Sequence, residues 1–566
     1  MARLRWQLII ALGGLILVGA LLLTQAPGSE TTSTEPARGG TYAEAVVGSP
    51  SRLNPVLDAL NPVDREIDRL IYTGLVRFDS SGAPQPDLAA NWAISADGTS
   101  YTVTLRDDAR WHDGSPVTSD DVVYTFSKLQ DEDYPGPADL REMWSQISLT
   151  KVDGLTVQFK LPEPYAPFLD YLSVGLLPDH LLRGVSAGQL IDHPQNLHPI
   201  GTGPFRFEGF EIEGGRILRL ALSANVDYYG QAPYLERVDF RFFDSQEEAL
   251  RAYQAGDVQG MSGVTGDTLR ALLADGDTNV YSARLPGAEV VFLNTRHPEK
   301  IFLADKRVRQ ALMLGVNRQS IIDRYYQGQA IIATGAILPG TWAFPQGLSP
   351  LPFDPERAAS LLDAAGWTVP VGALPGTPEY VRANDDLPLA FELLHADDPR
   401  HLAVAQALQE YWRQIGVVVT LRAAPAEALL SQALEPREFE AVLAELDLSR
   451  YPDPDPYPFW HDSQAEAGQN YSGFSDRNTS IWLEQARTTP DIRKRAELYR
   501  SFAFRFQDQM PSLFLFHPVY TAAIRSQVLG VTMGPLVDAS DRFGSIEGWY
   551  VLARRARTQA PESPDG

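Results

Sequence analysis

Residues 450–462 read R-Y-P-D-P-D-P-Y-P-F-W-H-D, and no other stretch restricts the backbone as tightly. Pro452, Pro454, Pro456 and Pro458 alternate with Tyr451, Asp453, Asp455 and Tyr457. Each proline fixes its own φ and pushes the residue before it out of the helical region. The segment is therefore expected to run extended. If it is β-like, both carboxylates and both phenols share one face; a polyproline II twist would fan them out. Phe459, Trp460 and His461 add flat apolar surface beside the acids. Rigid backbone, acid and aromatics suit a small-ligand cleft. On the segment alone, a stiff surface loop with solvated acids fits equally well.

A chain of 566 residues exceeds what one hydrophobic core serves, so two or three domains are expected. The formal charge of −24 argues against nucleic acid or an anionic membrane surface as partner. With no cysteine, disulfides, lipid-modified cysteine, thiol catalysis and cysteine-ligated metal are excluded. Arg3 and Arg5 precede an apolar run at residues 8–23, and Thr24 and Ala26 offer the small residues of a cleavage site. This is an export signal. As a helix the run spans about 24 Å, short of the roughly 30 Å hydrocarbon core, so residues 1–26 are read as a signal peptide or a membrane anchor. Either outcome places the body outside the cytoplasm. Residues 27–39 read as a linker and 554–566 as a disordered tail.

Between these ends the pattern is α/β. Residues 64–78 carry a helical period, 100–106 alternate like a half-buried strand, and a helix begins at Ser119. The runs 290–293 and 513–516 are continuously apolar, as in fully buried strands, and are read as the two crossings between lobes. Asp354, Pro355 and Glu356 open a helix that Gly366 ends. Residues 389–394, a helix from Asp398 to Ile415, and 417–421 form a strand–helix–strand unit, which implies a parallel crossover. A strand at 439–445 then leads into the proline ladder. That ladder follows the carboxyl end of a strand, where open α/β sheets bind ligands.

Tests for chemistry are mostly negative. Gly184-Val185-Ser186-Ala187-Gly188 matches G-x-S-x-G, but the required strand before Ser186 is missing. No H-x-x-x-H pair and no phosphate-binding glycine loop in a suitable context occurs, so no metal, nucleotide or other cofactor is expected. Asp453 and Asp455 could act as an acid–base pair, although adjacent acids in a proline ladder fit binding better.

The chain resembles the family 5 extracellular solute-binding proteins of ABC importers, which include oligopeptide, dipeptide and nickel binders. The resemblance rests on a dozen pieces in register across nearly the whole exported body. Among them are L-N-P at 53–55, I-Y-T-G-L-V-R-F-D at 71–79, W-H-D-G-S-P-V-T-S-D-D-V at 111–122 and G-T-G-P-F at 201–205. Further pieces are F-L-N-T at 292–295, D-P-D-P-Y-P-F-W-H at 453–461 and N-Y-S-G-F-S at 470–475. The resemblance implies a two-lobed, periplasmic-binding-protein-like α/β fold of the large three-domain, type II variant. Lobe I would comprise residues 40–85, 201–298 and 512–553, with an α+β subdomain inserted at 86–200; lobe II would be 299–511. It also implies a monomeric, non-catalytic binder that holds a small peptide between the lobes and delivers it to a membrane permease. Nickel chelates or oligosaccharides are the runner-up ligands, and a secreted hydrolase using Ser186 or the aspartate pair Asp453 and Asp455 is the remote alternative. The expected ligand contacts are Asp453, Asp455, Tyr457, Trp460, Arg450, Tyr451, His461 and Asn294, with one of the two aspartates meeting the peptide α-amino group. Three departures from the family pattern stand out: the missing lipoprotein cysteine, Arg450 where an acid often precedes Tyr-Pro-Asp-Pro, and Ser480 where an aspartate is common. Arg450 would favour a carboxylate or another anion.

Overall fold

The computed structural model describes residues 32–449 and 453–557. The signal or anchor segment, Arg450, Tyr451 and the last nine residues lie outside them. Among the described residues no helix is long and apolar enough to cross a membrane. Part of the stretch read as a linker is instead a strand: β1 (Thr32–Ala37) pairs antiparallel with the last strand of the chain, Leu552–Arg557.

Lobe I begins with β2 (Thr41–Val47) and α1 (Pro62–Ile71). Asn61 caps α1 by accepting the Val63 amide, and Pro62 takes the first-turn position where no N–H is needed. The inserted subdomain is an antiparallel sheet of β3 (Ala89–Ile94), β4 (Ser100–Leu105), β5 (Ser148–Lys151) and β6 (Thr156–Lys160), in the order β3-β4-β6-β5. Its helix α2 (Ser119–Gln130) starts with a capping box between Thr118 and Asp121. Asp121 also accepts from the Trp111 indole at 3.3 Å and the Asp179 amide at 2.9 Å. That one carboxylate ties together both ends of the W-H-D-G-S-P-V-T-S-D-D-V motif. Lobe I continues through β7 (Phe205–Glu213), β8 (Arg216–Ala224), β9 (Arg237–Phe243), β10 (Gly260–Ser262) and β11 (Thr278–Arg284).

A short turn at Leu285 and Pro286 passes into β12 (Gly287–Leu293), the first strand of lobe II. There α3 (Pro355–Ala364) is capped by Asp354, as its sequence implies. β13 (Ala390–Ala396), α4 (Pro399–Gln414) and β14 (Val418–Ala424) form the expected strand–helix–strand unit with parallel pairing. β15 (Ala441–Asp447) lies between β13 and β12. The helices α5 (Arg477–Thr488) and α6 (Ile492–Gln509) follow, and β16 (Ser512–Arg525) returns to lobe I before β17 (Leu552–Arg557) closes the chain.

The two apolar runs pair directly, Val290 with Phe514 and Val291 with Leu513. Alternate residues feed different cores: Val291, Leu293, Leu513 and Leu515 pack on one face of the sheet, Val290, Phe292 and Phe514 on the other. Burial on both faces is why these strands read as unbroken hydrophobic runs rather than alternating ones. The lobe change falls a few residues from where the runs placed it. β16 pairs with β12 through residues 512–516, with residues 330–332 of lobe II through 516–518 and with β11 through 519–525, so the chain changes lobes at 285–286 and after 518. One sheet therefore runs through both lobes, joined by a single 14-residue strand.

Candidate functional site

The proline ladder is not extended throughout. Tyr457–Trp460 forms one helical turn, entered from Pro456 at φ −82°, ψ −1°. Pro458 sits in the first turn, where its missing N–H costs nothing, so the expected uniform run stops after Asp455. The extended part points its acids inward. Asp453 accepts two hydrogen bonds from Arg495, each 2.7 Å, in a fully buried pair. Asp455 accepts from Arg487 Nε at 2.6 Å and from the Tyr457 amide at 3.0 Å. Burial pushes the Asp453 carboxyl up, against the pull of Arg495. The Arg487 guanidinium lies 3.9 Å over the Tyr457 ring. Helices α5 and α6 thus supply the cations that these aspartates meet.

The remaining sequence candidates are likewise engaged inside lobe II. Trp460 is buried against Phe292, Phe506 and Phe514. His461 bonds Ser463 at 2.7 Å and Glu484 at 3.1 Å, and stacks on Tyr457. Asn294 donates to the carbonyls of Arg437 and Phe439 and so anchors the loop before β15. Arg450 and Tyr451 are outside the described residues. Ser186 caps a short helix by accepting the Gln189 amide, a structural use of the G-x-S-x-G serine.

The space for a ligand lies across from the ladder. A cavity of about 810 Å³ is walled by lobe I, by the inserted subdomain and, from lobe II, by Ser449 and Arg487. This volume is within the usual range for small-ligand sites. Its floor is α1 and the segment after it, with Asp58, Arg65, Asp68, Arg69 and Arg77. Arg65 pairs with Asp538 at 2.8 Å and approaches Asp58 at 3.7 Å; Arg69 pairs with Asp541 at 3.1 Å. Asp87 accepts the Tyr229 hydroxyl at 2.5 Å. Burial pushes Asp58 up to about 7 even though Arg65 opposes the shift. A second, much smaller cavity of about 50 Å³ also lies between the lobes, lined by Trp342, Asp453, Asp455 and Trp460 of lobe II and by Ser81 and Arg284 of lobe I.

The floor is built by two sequence motifs that read only as turns. His112 of W-H-D-G donates its amide to Gly201 O at 2.8 Å, and its Nδ1 accepts the Gly201 amide. Its Nε2–H donates to Gly203 O at 3.0 Å. Burial holds this imidazole neutral, with a pKa near 4. Gly203 in turn donates to Ile71 O at 2.8 Å and caps the end of α1. The charged residues on α1 carry no mark in the sequence, because their 3.6-residue pattern reads as an ordinary solvated helix face.

Two lobes on one continuous sheet, with a ligand-sized cavity between them, define a binding protein of the periplasmic-binding-protein-like fold. The description "Bacterial extracellular solute-binding proteins, family 5 Middle" matches residues 83–469, and the chain belongs to that family. It is 26% identical over 551 residues to the oligopeptide-binding protein AppA of Bacillus subtilis, covering 95% of this chain and 97% of the relative. It is 27% identical over 514 residues to the dipeptide-binding protein of Escherichia coli, covering 86% and 91%. The structure of HbpA2 from Haemophilus parasuis superposes with a TM-score of 0.75 at 25% identity, over 89% of this chain and 99% of that one.

Proposed function

We propose that this protein captures peptides in the cavity between its lobes and hands them to an ABC permease from the outer side of the cytoplasmic membrane. It acts as a monomer and without catalysis. The observation that carries this reading is the 810 Å³ interlobe cavity in a chain related end to end to oligopeptide- and dipeptide-binding proteins. Ser449 follows the carboxyl end of β15, so lobe II contributes to the cavity where open α/β sheets place ligands. Arg450 and Tyr451, the next residues, are proposed to reach the same ligand. Asp453, Asp455, Tyr457, Trp460, His461 and Asn294 are proposed to hold that wall in place rather than to touch the ligand, because each is engaged within the protein. Native mass spectrometry of protein purified from its own host tests this directly. Bound masses that fragment as peptides support it; a nickel chelate or an oligosaccharide would replace it.

A further inference from the structure

The acids most visible in the sequence meet arginines of their own lobe. Among the described residues, a carboxylate with both oxygens short of partners stands opposite, on α1. Asp68 lines the cavity, is 2% exposed, and makes no hydrogen bond of good geometry at either oxygen, the Asn54 amide being the one donor nearby. The other charges of this helix are taken. Asp64 accepts the Ser51 and Arg52 amides, Arg65 pairs with Asp538, and Arg69 pairs with Asp541. Asp58, on the same wall, has only Arg65 at 3.7 Å, a cation already held by Asp538. Across the whole cavity eight carboxylates face four guanidinium groups.

A buried carboxylate with so few donors is expensive to keep charged, and the cost falls when a cation binds against it. Arg65 and Arg69 are paired elsewhere, and Arg77 on the same wall makes no ion pair with Asp68, which leaves the place beside Asp68 open to a cation from the ligand. We propose that Asp68, assisted by Asp58, forms a subsite for a cationic nitrogen of the captured peptide, so that the cavity selects basic peptides or positions the free α-amino group. This deepens the peptide-capture reading and rests on it. Burial and the neighbouring Asp58 and Asp64 charges also push the Asp68 carboxyl well up, the state a cationic ligand would reverse.

Calorimetric titration with four tripeptides separates the sources of the cation: Ala-Lys-Ala, its norleucine analogue, and the N-acetylated form of each. The full chain is expected to lose roughly thirtyfold or more in affinity when the recognised cation is removed. Lysine replacement or acetylation shows which nitrogen it is. In Asp68→Asn that discrimination should fall to about threefold or less, and Asp58→Asn should reduce it partway. If all four peptides bind the wild type equally, the subsite is refuted while peptide capture stands. If none binds, both readings fall. Melting of the ligand-free variant separates recognition from a structural role. Asp68→Asn replaces a poorly satisfied buried carboxyl by a neutral amide of the same shape and should melt no lower than wild type; a drop of several degrees would make Asp68 a structural residue and overturn the assignment.

Discussion

Asp453 has a single partner in a dry setting, and that decides what its removal does. Breaking a buried ion pair from one side leaves the other charge uncompensated and costs about 3–5 kcal/mol. Asp453→Ala, which strands Arg495 between Trp342 and Tyr499, is therefore expected to lower the first unfolding transition in guanidinium by about that amount. Peptide affinity of the folded variant should stay within a few-fold of wild type. Unchanged stability with strongly weakened binding would return Asp453 to the ligand. Asp58 gives a pH signature. With its folded pKa raised to about 7, the native chain holds a proton there that the unfolded chain releases near pH 4. Stability thus declines as pH rises from about 4 to 7, and Asp58→Asn removes that decline. With 27% of the side chain exposed, water screens part of the effect, so the difference in melting temperature between pH 5 and pH 8 is a few degrees. Parallel pH profiles for wild type and variant would contradict it. At this scale the chemistry of the ladder was legible in sequence, but its partners were not. Arg487 and Arg495 lie 32 and 42 residues from the acids they meet, and nothing local distinguishes them from the surface arginines around them.

At the scale of elements, helix caps and buried strands were legible because their determinants are local. Asp354 and Asp398 cap the helices they precede, and the unbroken apolar runs are strands covered on both faces. The G-T-G-P-F turn was legible as a turn and opaque as to purpose. Its glycines are required by close approach: a Cβ on Gly201 would sit 1.9 Å from Ile71 O, and one on Gly203 2.4 Å from Leu70 O. Gly203→Ala must push the last turn of α1 away and is expected to cost about 1–3 kcal/mol. Because that helix is the cavity floor, peptide affinity should fall with stability. Wild-type melting and affinity in this variant would show that α1 is not fixed by the turn. The helical turn at Tyr457–Trp460 was hidden for the opposite reason: a rule about prolines inside helices does not bind at a first turn.

For the whole molecule, family, fold class and two-lobed design were legible from motifs in register, whereas the cavity was not, since it is lined by segments as distant as Asp58, Arg487 and Glu547. The hinge follows from the topology. β16 carries both lobes, and at the crossing His517 Nδ1 bonds Gly287 O at 2.7 Å while Leu285 donates to Pro518 O at 2.9 Å. Across the cleft the lobes already touch, the Trp342 amide donating to Ser81 O at 2.8 Å and Arg487 lying 5.5 Å over Tyr165. Ligand-driven closure of such lobes is a hinge motion. The central claim, that the cavity holds a peptide between closing lobes, is tested most directly by small-angle scattering of the unfolded-and-refolded, ligand-free protein with a saturating mixture of random tripeptides to pentapeptides. The account predicts a smaller radius of gyration with peptide and no change with nickel–histidine. A radius unchanged by the peptides, or reduced only by the nickel chelate, would contradict it.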